Sequence, residues 1–462
     1  MIAHEIAARV RAREVSAAAV VEEALARIAV HNGLVNAFTD VTAERARAEA
    51  AAVDRAIARG DDAGSLAGVP FAAKNLFGLA GIVTRAGSRI ERTHAPARAD
   101  AFAVARLRAA GAVCLGALNM DEYAYGFTTE NTHDGPVRNP HDPARIAGGS
   151  SGGSAAALAA GFCAVTLATD TNGSIRVPAS LCGVYGLKPT FGRLSRAGAY
   201  PFVASLDHVG PMARDVASLA LAYDAMQGDD PADPAQARRP VAPVSGAVSG
   251  ALVPRTLRVA RLGGHFGGEG AARAAADRVA VALGANEEAT FPDAAVLRAA
   301  AFLVTASEGA AVHLADLRAR ADEFDPLVRD RLLAGALIPA QWVHRAQKIR
   351  REIARRAGAL FARFDVLVAP ATPCAATTIG QDGLVLGGES VPLRPHFGVF
   401  TQPVSAIGLP VLAVPVPGAA AGLPIGVQLI GAPWQEAALF SAAAGLEAAG
   451  VCAAPLAAAL AS

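Results

Sequence analysis

The sequence predicts an α/β protein built on a mixed sheet. Between residues 100 and 230, helical stretches such as 101–110 alternate with short apolar runs, AVCLGAL and CAVTLAT. That is the pattern of helices layered on a sheet. Strand signals return late in the chain, at 257–262, 366–369, 411–416 and 426–430, with helical periods between them near 295–320 and 340–364. Of the 462 residues, 53% are apolar, enough to fill a large core and too many for a disordered chain.

Taken from the N-terminus, residues 1–60 read as a helical segment. Ser16 is placed to cap a helix over 17–29 that sets Val20, Val21, Ala24 and Ile28 on one face. An alanine-rich charged helix follows around 41–59. LAGVPFAAKNL, at 66–76, then reads as a turn leading into a short apolar strand. Residues 228–254 are rich in Pro, Ala and Gly and read as a surface excursion. No linker separates two self-sufficient patterns, so 1–462 reads as one domain, with a division near 230–255 as the alternative.

Composition narrows the function. A formal net charge of +1 offers no broad attraction to nucleic acid or to an anionic membrane surface. The five cysteines, Cys114, Cys163, Cys182, Cys374 and Cys452, show no CxxC spacing. Reduced thiols and a cytoplasmic location are expected rather than a disulfide framework or a zinc site. The N-terminal MIAHEIAARVRARE is charged throughout and lacks the apolar stretch of a signal peptide, and no unbroken apolar run suggests a membrane span. His133, His141, His208 and His396 lack the HxH or HExxH spacing of a metal-dependent hydrolase and read as loop or core histidines.

Three segments carry chemistry. In the first, GGSSGGS at 148–154 runs straight into AAALAAG. Alone, a Gly/Ser tract reads as a linker. One that opens an apolar helix reads instead as a tight loop whose backbone can approach a ligand. In the second, TDTNGSIRVP at 169–178, an apolar strand enters a polar turn that presents Ser174. Consecutive N–H groups in such a turn can converge on one oxyanion, although an ordinary solvent-facing turn has the same composition. The third is Lys74 within GVPFAAKNL. Most lysines are simply solvated, but one forced into an apolar site becomes a usable base.

Together GVPFAAK, GGSSGG, TDTNGSIRVPASLCGVYGLKPT, FDVLVAPATP and GLPIGVQLIGAPWQEAAL resemble the amidase-signature hydrolases, in the family's order and over essentially the whole chain. The resemblance implies the amidase-signature fold, with helices on both faces of the sheet. It implies a hydrolase of amide C–N bonds in which Ser174 is the nucleophile, Ser150 the relay following a cis peptide bond, and Lys74 the base. It implies an oxyanion hole from the N–H groups of Thr171, Asn172, Gly173 and Ser174, with Ser151, Asp170 and Arg176 in support. No cofactor and no metal are implied. The family pattern departs at Asn172, where glycine is usual, and at Asn75, where aspartate is usual. Asparagine tolerates positive φ, so the turn is expected to survive.

Within the family, KNLF, MDEYAYGFTTEN and LRPHFGVFTQP are most similar to the branch that hydrolyses 1-carboxybiuret, a small urea-type amide bearing a carboxylate. That resemblance implies ammonia release, an oligomer and a small helical partner subunit. The glutaminase component of the tRNA-dependent amidotransferase is the nearest alternative, and a non-catalytic assembly subunit the remoter one. For the substrate's carboxylate, Arg350 is the candidate. Val343, Ala346, Ile349, Ile353, Ala357, Leu360 and Phe364 form an apolar stripe on a helix over 341–364, and Arg350 falls inside it. A guanidinium there needs an acid, either a buried Asp or Glu or the substrate itself. Arg394 is the reserve.

Overall fold

The computed structural model describes residues 2–248 and 257–460, so the last six positions of the 228–254 excursion lie outside the described residues. Of the N-terminal segment, helices Ala3–Arg11, Ala17–Val35 and Ala43–Arg59 form as the periodicity predicts. Ser16 Oγ accepts the Ala19 N–H at 3.0 Å, and Asn36 closes the second helix in the left-handed region (φ 57°). The all-helical expectation for 1–60 needs correction. Phe38–Val41 is a strand at the sheet edge, paired antiparallel with Val113–Leu118. It is too short for its alternation to show between two helical patterns.

One eleven-stranded mixed sheet runs through the molecule. In spatial order its strands are Phe38–Val41, Val113–Leu118, Pro70–Lys74, Val165–Asp170, His208–Ala213, Tyr185–Lys188, Val411–Ala420, Leu423–Gly431, Val366–Pro370, Val259–Leu262 and Glu288–Ala289. Pro70–Lys74 is parallel to both of its neighbours, with Phe71 opposite Val165 and Ala73 opposite Leu167. The strand therefore ends at the same edge as Val165–Asp170. Both are buried along their whole length, as parallel strands covered on two faces are.

The Gly/Ser tract leads into helix Gly152–Ala159, every residue of which is buried, so it is no linker. Helices Ala294–Arg320, Pro326–Ala336 and Ala340–Arg363 pack on one another. Gly335 is the contact between the first two. A Cβ there would stand 2.1 Å from the Ala306 carbonyl oxygen, so no other residue allows this crossing. The first of these helices is long and apolar enough to cross a membrane by composition (mean hydropathy 1.4), but its inner face, including Leu297, Ala301, Val304 and His313, is buried in the protein. The described part of the excursion is tied down: Asp233 pairs with Arg196 at 3.0 Å, and Val244 and Ala247 are buried. All five cysteines are free thiols.

Candidate active site

Lys74 is the last residue of its strand, and no part of it reaches solvent. Its Nζ donates to Ser150 Oγ at 2.7 Å and to Thr169 Oγ1 at 3.0 Å. Burial lowers its pKa to about 7, against the opposing pull of the Asp121, Asp207 and Asp170 carboxylates. The amine can thus lose its proton near neutrality while hydrogen-bonded to a hydroxyl.

Ser150 is also fully buried, and the Gly149–Ser150 peptide bond is cis. The glycines ahead of it are required by crowding: a Cβ on Gly149 would lie 2.2 Å from Asp121 Oδ2. Asp121 in turn accepts the Thr129 N–H at 3.1 Å, and Thr129 Oγ1 donates to the Gly148 carbonyl at 2.8 Å. Ser151 Oγ donates to the Thr169 carbonyl at 3.2 Å, fastening the serine loop to the strand that carries the next turn.

That turn, Thr171–Ile175, follows strand Val165–Asp170 and precedes helix Arg176–Cys182. Gly173 sits at φ 141°, where a Cβ would meet Thr401 Oγ1 at 2.2 Å. Thr401 Oγ1 donates to the Asn172 carbonyl at 2.7 Å, which orients the turn. Among the described residues, the N–H groups of Asn172, Gly173 and Ser174 have no backbone acceptor and are available to an anion. The expectation that asparagine at 172 tolerates a left-handed backbone is not needed: Gly173, not Asn172, has the positive φ. Asn172 is 8% exposed; its Nδ2 donates to Thr305 Oγ1 at 2.8 Å, and its Oδ1 is buried with no partner. An orphan acceptor of this kind costs about 1–3 kcal/mol.

Asp170 and Arg176 brace the turn. Arg176 Nε and Nη2 each donate to the Asp170 carboxylate at 2.9 Å, and Nη1 donates to Gln428 Oε1 at 2.7 Å and to the Thr401 carbonyl at 3.1 Å. Burial alone would raise the Asp170 pKa, but the guanidinium holds it well below the usual carboxylate range. The remaining face of this strand end meets His208, whose Nδ1 lies 3.0 Å from the Asp170 carbonyl and whose Nε2 lies 3.1 Å from Lys188 Nζ. A carbonyl only accepts, so the imidazole carries its proton on Nδ1.

Ser174 opens into a cavity that it shares with Tyr125, Asn172, Phe302, Thr305 and Arg331. A wider cavity of about 210 Å³ adjoins it across Ala124 and Phe202 and reaches Thr169, Thr171 and Asp207. Arg350, the expected anchor of the substrate's carboxylate, lines neither of these two cavities; it lines a separate one with Ser205, Gln347 and Ala406. Its Nε donates to the Ala406 carbonyl at 2.7 Å, Nη1 to Gln347 Oε1 at 2.7 Å and Nη2 to the Ser205 carbonyl at 3.1 Å. The helical stripe places it inward as read, but backbone and amide oxygens satisfy it in place of an acid. The reserve, Arg394, donates to Thr128 Oγ1 at 2.8 Å and lies 3.5 Å from Glu130.

The cation that does line the Ser174 cavity is Arg331, from helix Pro326–Ala336. Its guanidinium lies 3.6 Å from the Tyr125 ring centroid, and Nη1 donates to the Tyr125 carbonyl at 2.8 Å. Nothing in VRDRLLAG separates it from its neighbours Arg329 and Asp330; its place in the cavity depends on how this helix packs on Ala294–Arg320, where Gly335 meets Ala306. Thr169, Asp121 and Thr305 were likewise missed, being ordinary polar residues until the fold brings them to the site.

The chain is similar to known proteins over nearly its whole length. The amidase family model matches residues 19–440. AtzE of Pseudomonas sp. (strain ADP), a component of 1-carboxybiuret hydrolase, is 57% identical over 435 residues, 94% of this chain and 95% of that one. A glutamyl-tRNA(Gln) amidotransferase subunit of Anaeromyxobacter sp. (strain K) is 40% identical, covering 96% of this chain and 95% of its own. Among solved structures, one of a vestigial protein complex described as revealing the evolutionary origins of an s-triazine catabolic enzyme superimposes with a TM-score of 0.96 at 55% identity, over 99% of this chain and 100% of that one. An amidase crystal structure follows at 0.86 and 32%, over 97% and 100%.

The buried pair yields a stability prediction. Arg176→Leu should strand the Asp170 carboxylate and cost about 3–5 kcal/mol, read as a lowered midpoint in urea unfolding. A change under about 1 kcal/mol would mean the pair does not brace the turn.

Proposed function

The chain belongs to the amidase family, and on that footing we propose that it cleaves an amide C–N bond of a small carboxylated ureide, 1-carboxybiuret-like, releasing ammonia by a Ser174–Ser150–Lys74 mechanism. The observation that carries the mechanism is the sealed Lys74 amine 2.7 Å from Ser150 Oγ, with a pKa lowered to about 7. Neutral Lys74 accepts a proton from Ser150, which takes one from Ser174 as its Oγ attacks the carbonyl carbon. The N–H groups of Thr171, Asn172, Gly173 and Ser174 hold the oxyanion. The proton returns to the leaving nitrogen, ammonia departs, and water then cleaves the acyl-enzyme by the same relay.

The carboxylate is assigned to Arg331. It lies in the nucleophile's cavity, stands over the Tyr125 ring, and spends Nη1 on a backbone carbonyl, which leaves further donors for a paired contact with an anion. A partner subunit belongs to the same reading. It is supported by the complex from which the similar solved structure comes, and by apolar surface at Leu337 (83% exposed) and Trp342 (56%).

Ammonia release from carboxybiuret, biuret, malonamate, glutamine and a plain aliphatic amide tests the substrate. The carboxylated ureide should give the highest kcat/KM, and a preference for glutamine would assign the chain to the amidotransferase glutaminases instead. Ser174→Ala should abolish turnover with the melting temperature unchanged; wild-type rates in that variant would refute the mechanism. Because Lys74 must be neutral to act, kcat/KM should fall as pH drops through about 7, and a flat profile from pH 5 to pH 9 would remove it as the base. Arg331→Leu should lose about 2–4 kcal/mol of transition-state binding on a carboxylated substrate but not on its uncharged amide. Arg350→Leu should affect both substrates alike.

A further inference from the structure

We propose that the Asn172 side chain is a specificity-determining group: its carboxamide oxygen accepts a hydrogen bond from an N–H on the acyl side of the scissile carbonyl, selecting ureides over carbon-linked amides. The proposal rests on the amidase reading above and names the substrate feature that the site reads. Three observations place the group. Asn172 lines the cavity that holds Ser174 and Arg331 and is more than nine-tenths buried. Its two polar ends are used unequally: Nδ2 is spent on Thr305 Oγ1 at 2.8 Å, while Oδ1 is buried without a partner. The backbone does not ask for asparagine either. Position 172 has no positive φ, and the residue's own carbonyl is held by Thr401.

A buried acceptor kept unpaired beside a nucleophile is suited to a donor that arrives with the ligand. The ligand class follows from the chemistry of the two sides of the carbonyl. Where ammonia leaves, an ordinary amide such as glutamine presents a CH₂ group on the other side, which cannot donate. A ureide presents N–H there. With the carboxylate on Arg331 and the carbonyl oxygen in the turn, the acyl-side atom falls between them, next to residue 172. A CH₂ in that place leaves Oδ1 buried and unsatisfied, whereas an N–H satisfies it. Sites built to hydrogen-bond a substrate group discriminate strongly against analogues that lack it.

Ureidoacetate and succinamate test this directly, since they have the same length and the same carboxylate and differ by N–H for CH₂. The quantity read is the ratio of their kcat/KM values. Asn172→Ala should lower the ureide-to-amide ratio at least tenfold. Thr305→Val, which releases the carboxamide from its anchor, should lower it in the same direction by a smaller factor. Calorimetric Kd values for both ligands on Ser174→Ala, with and without Asn172→Ala, read the same ratio without turnover. A ratio unchanged in both variants, by kinetics or by binding, overturns the role of Asn172. If the wild type turns over neither compound, the ureide hydrolase reading fails, and the binding ratio still decides Asn172.

Discussion

A lysine amine sealed from water is the constraint on which this site depends. In solvent Lys74 would stay protonated at any physiological pH and could accept nothing. Enclosed by the sheet, it has no water to stabilise its charge, and its pKa comes down to about 7 even though three carboxylates act to hold it up. Opening the site to water would return the proton, and removing the carboxylates would take the pKa lower still. The working value reflects a balance between desolvation and distant charge.

The sheet supplies that enclosure. Pro70–Lys74 and Val165–Asp170 are parallel neighbours, so both chains leave the sheet at the same edge, one ending in the amine and the other turning to present Ser174. The crevice outside the carboxyl ends of parallel strands is where α/β proteins place ligands. Between the two ends lies the serine loop, and it fits only because its glycines let the backbone press against Asp121 and Thr129. Density of packing, more than any single bond, sets the distance from Lys74 to Ser150.

Charge is neutralised locally around the turn. Arg176 meets Asp170 in a fully buried two-point contact and reaches on to Gln428 and Thr401, so elements distant in sequence are held to the nucleophile's turn. Such a pair adds little net stability over an apolar substitute, but it admits few alternative arrangements. Against this saturated network the unpartnered Oδ1 of Asn172 is a contrast, on a residue that lines the cavity of Ser174.

Much of this was legible in the amino-acid order. Capping residues, hydrophobic periods and glycine-rich turns are local, and they placed the start of the helix after Ser16, which runs on to Val35 rather than ending at residue 29, a strand within 66–76, and the two serine turns. The amidase motifs are contiguous, so they too survive without a fold. Arg350 shows where local order stops. Its helical phase was read correctly as inward, but phase cannot say which cavity lies inside, and the oxygens it meets come from residues 205 and 406. Arg331 lines the nucleophile's cavity on a helix whose Gly335 packs closely on Ala306, a contact formed over about thirty residues of sequence separation. The sequence by itself determined the elements and the chemical groups on them. Only the tertiary structure decided which cation faces Ser174, how far Lys74 is desolvated and which polar atom of Asn172 is left without a partner, because each depends on packing between segments that no local pattern encodes.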